Sequence, residues 1–486
     1  MNSLNKMKLW IIAVLVLFFS ACNSWLDVDL ENRVEEQDLF SKASGFQKAL
    51  AAVYSQMASE SLYGYQLSYG TLDVMGQLYD YSKLPTNWDY IKELNYRNSD
   101  FRSLIGSWWT NLYATIESLN NIMRWSEKNA AILSEDELGQ IRGETLGLRA
   151  YLYFDLVRLF APDVKVKPDA ERIPYNTQFG VELPPLYTTK KVCELILEDL
   201  KAAEEYLKND PIIGQKIYEL KDDEKPFRNS ADKYVARMNL YAVKALMARV
   251  YLDMNDYVNA RIKANEVIQS GCFSLLKREE LTTQADPNLK DMLFSDEHIF
   301  SLRNKDIPTS AQSVCITVND QTQNVTLPLT GTYINNYDIP SKDIRWMEWF
   351  SDGGLSTRLV KYYKSKDNST NYFPKIPLIR LSELYLMLSE SYLEEDLQKA
   401  KDYADSVRVS RIVYEGKLTT FSENDFIKEM RREFPGEGQL FFMYKRRNHD
   451  ILRDGAAASI PASEKIFMLL IPDAEIENGN VQQSDK

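Results

Sequence analysis

The sequence predicts a mainly α protein: a tetratricopeptide-repeat-like helical scaffold with long irregular loops and a few short β-strands. Apolar residues recur at the three-and-four spacing of amphipathic helices through most of the chain. The helical segments come in pairs joined by short turns, with small and aromatic residues at repeat-like offsets. Polar and Pro-bearing stretches interrupt this pattern at 162–185, 219–226 and about 279–370, yet no Gly/Ser/Pro-rich linker divides the chain. One compact body with long loops is expected.

The first element is a leader over residues 1–21. Lys6 and Lys8 form a positive start, and the apolar run from Leu9 to Phe19 is too short to span a bilayer. Ser20-Ala21 supplies the small residues of a cleavage site directly before Cys22, which reads as a lipoprotein signal with Cys22 as the lipidated residue. Each buried acyl methylene contributes about 0.8 kcal/mol and stable anchoring takes two chains or signals, so acylated Cys22 would hold the protein on a membrane without threading it through.

Removal of the leader takes the formal charge from −12 to −14. An acidic chain without a basic block argues against nucleic acid or anionic lipid as a partner. Cys193, Cys272 and Cys315 are widely spaced, match no zinc or disulfide pattern, and read as buried thiols. His298 and His449 stand in separate segments, DEHIF and RRNHD. A histidine triad or multi-histidine metal site is therefore not expected, and neither is a cofactor; a carboxylate pair stays open among so many acids.

Helical periodicity covers 45–57, 108–125, 135–160, 192–207, 237–251, 257–269, 378–393, 396–409 and 425–444. From Ala248 the chain continues through Tyr251, Ala260, Ala264 and Val267, the offsets of a tetratricopeptide repeat, where small residues let antiparallel helices approach. Ser389, Tyr392, Ala400 and Ala404 repeat the arrangement with a turn one residue shorter. Between the helices, 297–303, 313–318 and 323–327 are short and rich in β-formers, and read as inserted strands.

Five segments resemble, in order, those of the SusD/RagB outer-membrane nutrient-binding lipoproteins of Bacteroidetes. Cys22-Asn23-Ser24-Trp25-Leu26-Asp27 is similar to the family's opening, and GLRAYLYFDLVRLFAP from Gly147 to its arginine-bearing helix. KALMARVYLDMNDYVNA from Lys244 is similar to its Ala-rich repeat helix, FPKIPLIRLSELYLMLSES from Phe373 to its C-terminal Pro-x-x-Arg-Leu-x-Glu helix, and RREFPGEGQLFFMYKRRN from Arg431 to its Arg-Arg-x-Glu segment. Gln439-Leu440 departs from the usual Gln-Arg. The resemblance implies a signal peptide at 1–21, an N-terminal SusD-like region at 22–230 and a C-terminal RagB/SusD region at 231–486. It also implies a non-catalytic, surface-exposed, lipid-anchored protein of the outer membrane. Such a protein captures an oligosaccharide and delivers it to a TonB-dependent SusC-like barrel. A peptide-binding member, or a repeat scaffold without a small ligand, is the alternative.

Arg149, Arg158, Arg380, Glu383, Arg431, Arg432 and Glu433 lie at helical spacing near aromatics, and read as ion pairs that fix helix packing. Trp108 and Trp109 supply at least one core residue. Other aromatics fall off the helical register. Tyr79, Tyr81, Trp88 and Tyr90, with Tyr96, are interleaved with Asp80, Asn87 and Asp89; Tyr337 and Trp346, with Tyr333 and Trp349, lie near Asn335, Asn336, Asp338 and Arg345. Aromatic faces flanked by amides and acids suit a sugar, whose C–H face is apolar and whose rim is hydroxyl. One covered sugar face contributes about 2 kcal/mol, whereas micromolar binding needs about 8 kcal/mol. A working site must gather several of these residues, so Trp88 with Tyr79 and Tyr81 is expected to form one wall and Tyr337 or Trp346 another, the two groups converging although far apart in sequence.

Replacement of Cys22 by alanine should move the protein from the membrane fraction to the soluble fraction on cell fractionation. Full retention of Cys22→Ala on the membrane would refute the anchor.

Overall fold

The structure, a computed structural model, describes residues 35–80, 88–180, 183–220, 231–283, 290–304, 307, 329, 333–338, 340–352, 357–362, 375–412, 417–453 and 458–479. The leader, Cys22, Cys315 and the strands expected at 313–318 and 323–327 lie outside the described residues.

The helices used below are α1 (Ala43–Met57), α2 (Thr71–Met75), α3 (Asp89–Lys92), α4 (Ser99–Lys128), α5 (Glu135–Phe160), α6 (Thr189–Tyr206), α7 (Leu240–Asp253), α8 (Tyr257–Gln269), α9 (Ile344–Trp349), α10 (Leu381–Tyr392), α11 (Leu397–Arg411), α12 (Glu423–Glu433) and α13 (Gln439–Arg447). Short antiparallel strand pairs accompany them: β1 (Glu171–Pro174) with β2 (Leu186–Thr188), β3 (His298–Arg303) with β6 (Lys375–Arg380), and β4 (Phe350–Asp352) with β5 (Thr357–Leu359). The protein is mainly α, as its periodicity predicts.

Local signals account for the helix limits. α5 starts at a capping box in which Ser134 Oγ accepts from the Glu137 N–H and Glu137 Oε2 accepts from the Ser134 N–H, so two otherwise orphaned donors are satisfied. From Leu146 to Phe160 α5 is buried on every side, the mark of a central helix. It packs against α4 and α6. α7 pairs with α8 and α10 with α11, and the two hairpins meet through α8 and α10. Ala245 and Ala248 on α7, Ala260 and Ala264 on α8, and Ala400 and Ala404 on α11 are buried where the helices close. Ser389 Oγ donates to the Ala400 carbonyl at 2.7 Å, fixing the second hairpin.

Two expected helices are corrected. Residues 378–380 belong to β6, whose six residues are all buried and pair with β3, and α10 begins only after Arg380. The stretch 425–444 is two helices, because Gly436 and Gly438 have φ of 78° and 66° and end α12. A Cβ on Gly436 would lie 2.9 Å from Leu359 Cδ2 and Tyr362 Cε2, so the turn needs both the positive φ and the missing side chain.

Around α12 lies a buried ionic network. Arg345 reaches Glu429 at 2.6 Å, Asp343 at 2.7 Å and Glu433 at 2.9 Å. Arg380 reaches Glu433 and Glu437 at 2.8 Å each, and Arg411 joins Glu297 and Glu433 at 2.7 Å each. Arg408 and Arg432 hold Glu429 at 2.9 and 2.8 Å. Ion pairs fix the other arginines and Glu383 as well: Arg149 pairs with Asp199, Arg158 with Asp155, and Arg249 with Glu383; Arg431 instead donates hydrogen bonds to Tyr444 Oη and the Leu452 carbonyl. Trp108 and Trp109 are both core. Burial raises the Glu429 and Glu433 carboxyls, but Arg345 and Arg408 around the first, and Arg411 and Arg380 around the second, outweigh it and hold both well below the ordinary value of 4.5.

Breaking such a pair strands a buried charge. Arg345→Met should cost about 3–5 kcal/mol in urea unfolding, and a loss under 1 kcal/mol would show the network to be dispensable. The depressed glutamates contribute stability above about pH 4.5 that is lost as pH falls through their folded values. Glu429→Gln should therefore flatten the acid limb of the stability curve.

Candidate functional site

Each sequence-predicted aromatic can be sorted by whether its ring or polar tip is already spent inside the fold. Tyr79 is buried, and its hydroxyl donates to Asp73 Oδ2 at 2.5 Å. The same carboxylate accepts from the Gly436 and Gly438 N–H groups at 3.0 and 3.3 Å. Burial pushes Asp73 up to about 6 even against these three donors. Tyr79 thus locks the turn between α12 and α13 and offers no free face. Trp88 caps α3 with 8% of its surface exposed and belongs to the core. Tyr96 is also buried, its hydroxyl donating to the Ile466 carbonyl at 2.6 Å. Tyr81 lies outside the described residues.

Tyr90 differs. It is half-buried, its ring lies 5.7 Å from that of Phe101, and its hydroxyl makes no hydrogen bond to the described residues.

The second group lies on α9. Asp343 caps this helix by accepting from the Arg345 N–H, and Ile344, Arg345 and Trp349 point inward. Trp349 donates its indole N–H to the Met292 carbonyl at 2.7 Å. The same helical rotation leaves Trp346 half-buried and Met347 48% exposed. Trp346 packs 5.4 Å from Tyr337 and 5.3 Å from Phe350, ring centre to ring centre. Tyr337 is a buried support, 3% exposed. Asn335 and Asp338 are exposed beside it, and Asp338 is held by Arg408 and Arg432 at 2.7 and 2.9 Å. Arg345, also in the expected second group, is wholly committed to the network.

The structure therefore brings Tyr337 and Trp346 together and corrects three expected ligand contacts, Tyr79, Trp88 and Tyr337, whose rings the core consumes. Trp88 caps α3 and Tyr90 packs on Phe101 of α4, whereas Trp346 packs with Tyr337 and Phe350. Phe350 and Met347 were not expected; the four-residue offset from Trp346 to Phe350 is the signal that finds the first.

His298, Cys193 and Cys272 are built into the scaffold. His298 is buried with Nε2 2.9 Å from the Leu293 carbonyl, and burial together with Lys375 holds it well below its ordinary value. Cys193 and Cys272 are buried thiols, as expected, and burial pushes Cys272 up to about 12.

Residues 24–218 match the sequence model of a SusD-like family described as starch-binding and associating with the outer membrane. Solved structures share the fold over most of the chain. A SusD superfamily protein from Bacteroides thetaiotaomicron VPI-5482 aligns with a TM-score of 0.71 at 22% identity, covering 92% of this chain and 100% of its own. The chain thus shares the fold of SusD superfamily proteins. A SusD-like carbohydrate binding protein from Bacteroides vulgatus ATCC 8482 aligns at 0.69 and 17% identity, over 90% of this chain and 97% of its own. Surface glycan-binding protein A from Bacteroides fluxus aligns at 0.66 and 19%, over 91% and 98%. No curated protein matches the sequence. Among the described residues no helix is long and apolar enough to cross a membrane.

The burial difference separates two tryptophans. Trp88→Ala should lose about 3–5 kcal/mol of stability, the usual cost of emptying a core site, while Trp346→Ala should lose less than half of that. Chemical denaturation of both variants checks this, and equal losses would place Trp346 in the core as well.

Proposed function

We propose that this protein is a SusD-like, non-catalytic, surface-exposed lipoprotein of the outer membrane. In this reading acylated Cys22 anchors it, an oligosaccharide is its ligand, and a TonB-dependent SusC-like barrel receives that ligand. The observation that carries the ligand half is Trp346. Its ring is half-exposed on a short helix that the ionic network holds rigid, and none of the described residues accepts its indole N–H. Such a ring loses little conformational freedom on binding, which favours affinity. Asn335 and Asp338 are exposed in the segment of Tyr337, against which Trp346 packs, and offer polar groups to hydroxyls. The description of the matched family as starch-binding and outer-membrane-associated supports the same reading, as does the fold shared with surface glycan-binding proteins. The anchor reading rests on the leader sequence, and the barrel on the family resemblance.

Maltoheptaose is the first probe to use, by isothermal titration, followed by other oligosaccharides and by peptides. Trp346→Ala should weaken the oligosaccharide that binds by about thirtyfold, the value of one stacked face, with its melting transition little changed. In the same preparation, mild-detergent extraction and pull-down should recover a large β-barrel with the protein. Binding to peptides alone would replace the glycan reading, and recovery of the protein without a barrel would count against delivery.

A further inference from the structure

A cleft of about 280 Å³ opens between the first turns of α5 and the end of α6, on elements other than those that carry Trp346. Its origin is a close helix contact. A Cβ on Gly139 would sit 2.8 Å from the Tyr206 carbonyl oxygen, and one on Gly143 2.4 Å from Leu207 Cγ, so the two glycines let α6 end directly on α5. Beyond that contact the chain turns away through 207–211 and leaves the hollow.

Tyr206, Leu138 and Pro211 form its apolar lining. The tyrosine is fixed from one side by Arg142, which donates to its hydroxyl at 3.3 Å and stands 5.7 Å from the ring centre. Its ring is nonetheless 36% exposed. Gln140, Asn209 and Asp136 supply polar groups, and their side chains make no hydrogen bond to the described residues. Most other charges around the hollow are already paired: Glu205 with Lys208 at 2.8 Å, and Asp210 with Arg237 at 2.5 Å.

We propose that this cleft is a second carbohydrate-contact site, which takes a single pyranose residue. The volume lies near the lower end of small-molecule pockets, about 300 Å³, so it suits one ring and excludes a folded chain. An exposed tyrosine covers the C–H face, while two free amides and a carboxylate meet hydroxyls as donors and acceptors. The surplus of acid disfavours phosphorylated or carboxylated sugars. Within the carbohydrate-capture reading, such a site lets a long glycan touch the protein twice, and the second contact gains from the effective concentration set by the first.

The test is saturation-transfer NMR on the mature chain with the methyl pyranosides of glucose, galactose and mannose, one at a time. A pyranoside should receive saturation from wild type and from Trp346→Ala, and Tyr206→Ala should reduce its affinity about thirtyfold. Asn209→Ala, which leaves the ring in place, should weaken it as well. Tyr206 is exposed, so its variant should melt with the wild type. The inference is overturned if no pyranoside responds, if Trp346→Ala alone abolishes the signal, or if only a cationic probe such as methylammonium responds to Tyr206→Ala. Loss in Trp346→Ala alone leaves the ligand reading of α9 standing. Loss in Tyr206→Ala alone is the expected result, and the ligand reading of α9 then stands or falls on its own oligosaccharide titration.

Discussion

Glu433 is the residue on which the architecture turns. It stands at the end of α12 with no solvent contact, and three arginines from different parts of the chain converge on it: Arg345 from the start of α9, Arg380 from the β6–α10 junction and Arg411 from the end of α11. Glu297, just before β3, shares Arg380 and Arg411. Desolvating so many charges is costly, and hydrophobic residues of equal volume often do as well or better for stability. What the arrangement supplies is position. No arginine can leave its carboxylates without stranding them, so the repeat hairpin α10–α11, the β3–β6 pair and α9 have one mutual placement.

That constraint reaches the surface through a single helix. A helix as short as α9 does not persist alone in water, since nucleation is unfavourable and so few bonds offset it. α9 is held by the Asp343 cap, the Arg345 ion pairs and the Trp349 hydrogen bond, all facing inward. Trp346, one residue from Arg345, inherits that rigidity while its ring faces partly outward. Ionic interactions that do little for net stability thus determine where an aromatic surface stands.

How far the sequence discloses this depends on the kind of signal. The span of α5 was readable from its periodicity over 135–160, and its start is sharp because Ser134 and Glu137 form a box whose chemistry is local. The repeat hairpins were readable from Ala260, Ala264, Ala400 and Ala404, since close packing demands small side chains. The break within 425–444 was concealed: Gly436 and Gly438 interrupt a continuous apolar periodicity, and only their positive φ and the crowding by Leu359, Tyr362 and Leu67 show why the helix must end. The strand at 378–380 was concealed for a related reason. β6 is buried throughout, and an apolar run of that length fits a strand or a helix equally well by periodicity.

The aromatic site shows where pattern reasoning stops. A tyrosine off helical register signals a loop but not the direction of its ring. The deciding quantity is a partner remote in sequence: Asp73 for the Tyr79 hydroxyl, the Ile466 carbonyl for Tyr96, the Arg432 carbonyl at 3.4 Å for Tyr337. Buried hydroxyls must find acceptors, because leaving one unpaired costs about 1–3 kcal/mol. Each tyrosine so paired is committed to the scaffold. Trp346 and Tyr90 escape that commitment, with part of each ring at the surface and a polar tip that no described residue engages. An aromatic available for recognition is thus one the fold holds by its edge and leaves unsatisfied at its tip, a property set by tertiary partners that no spacing rule encodes.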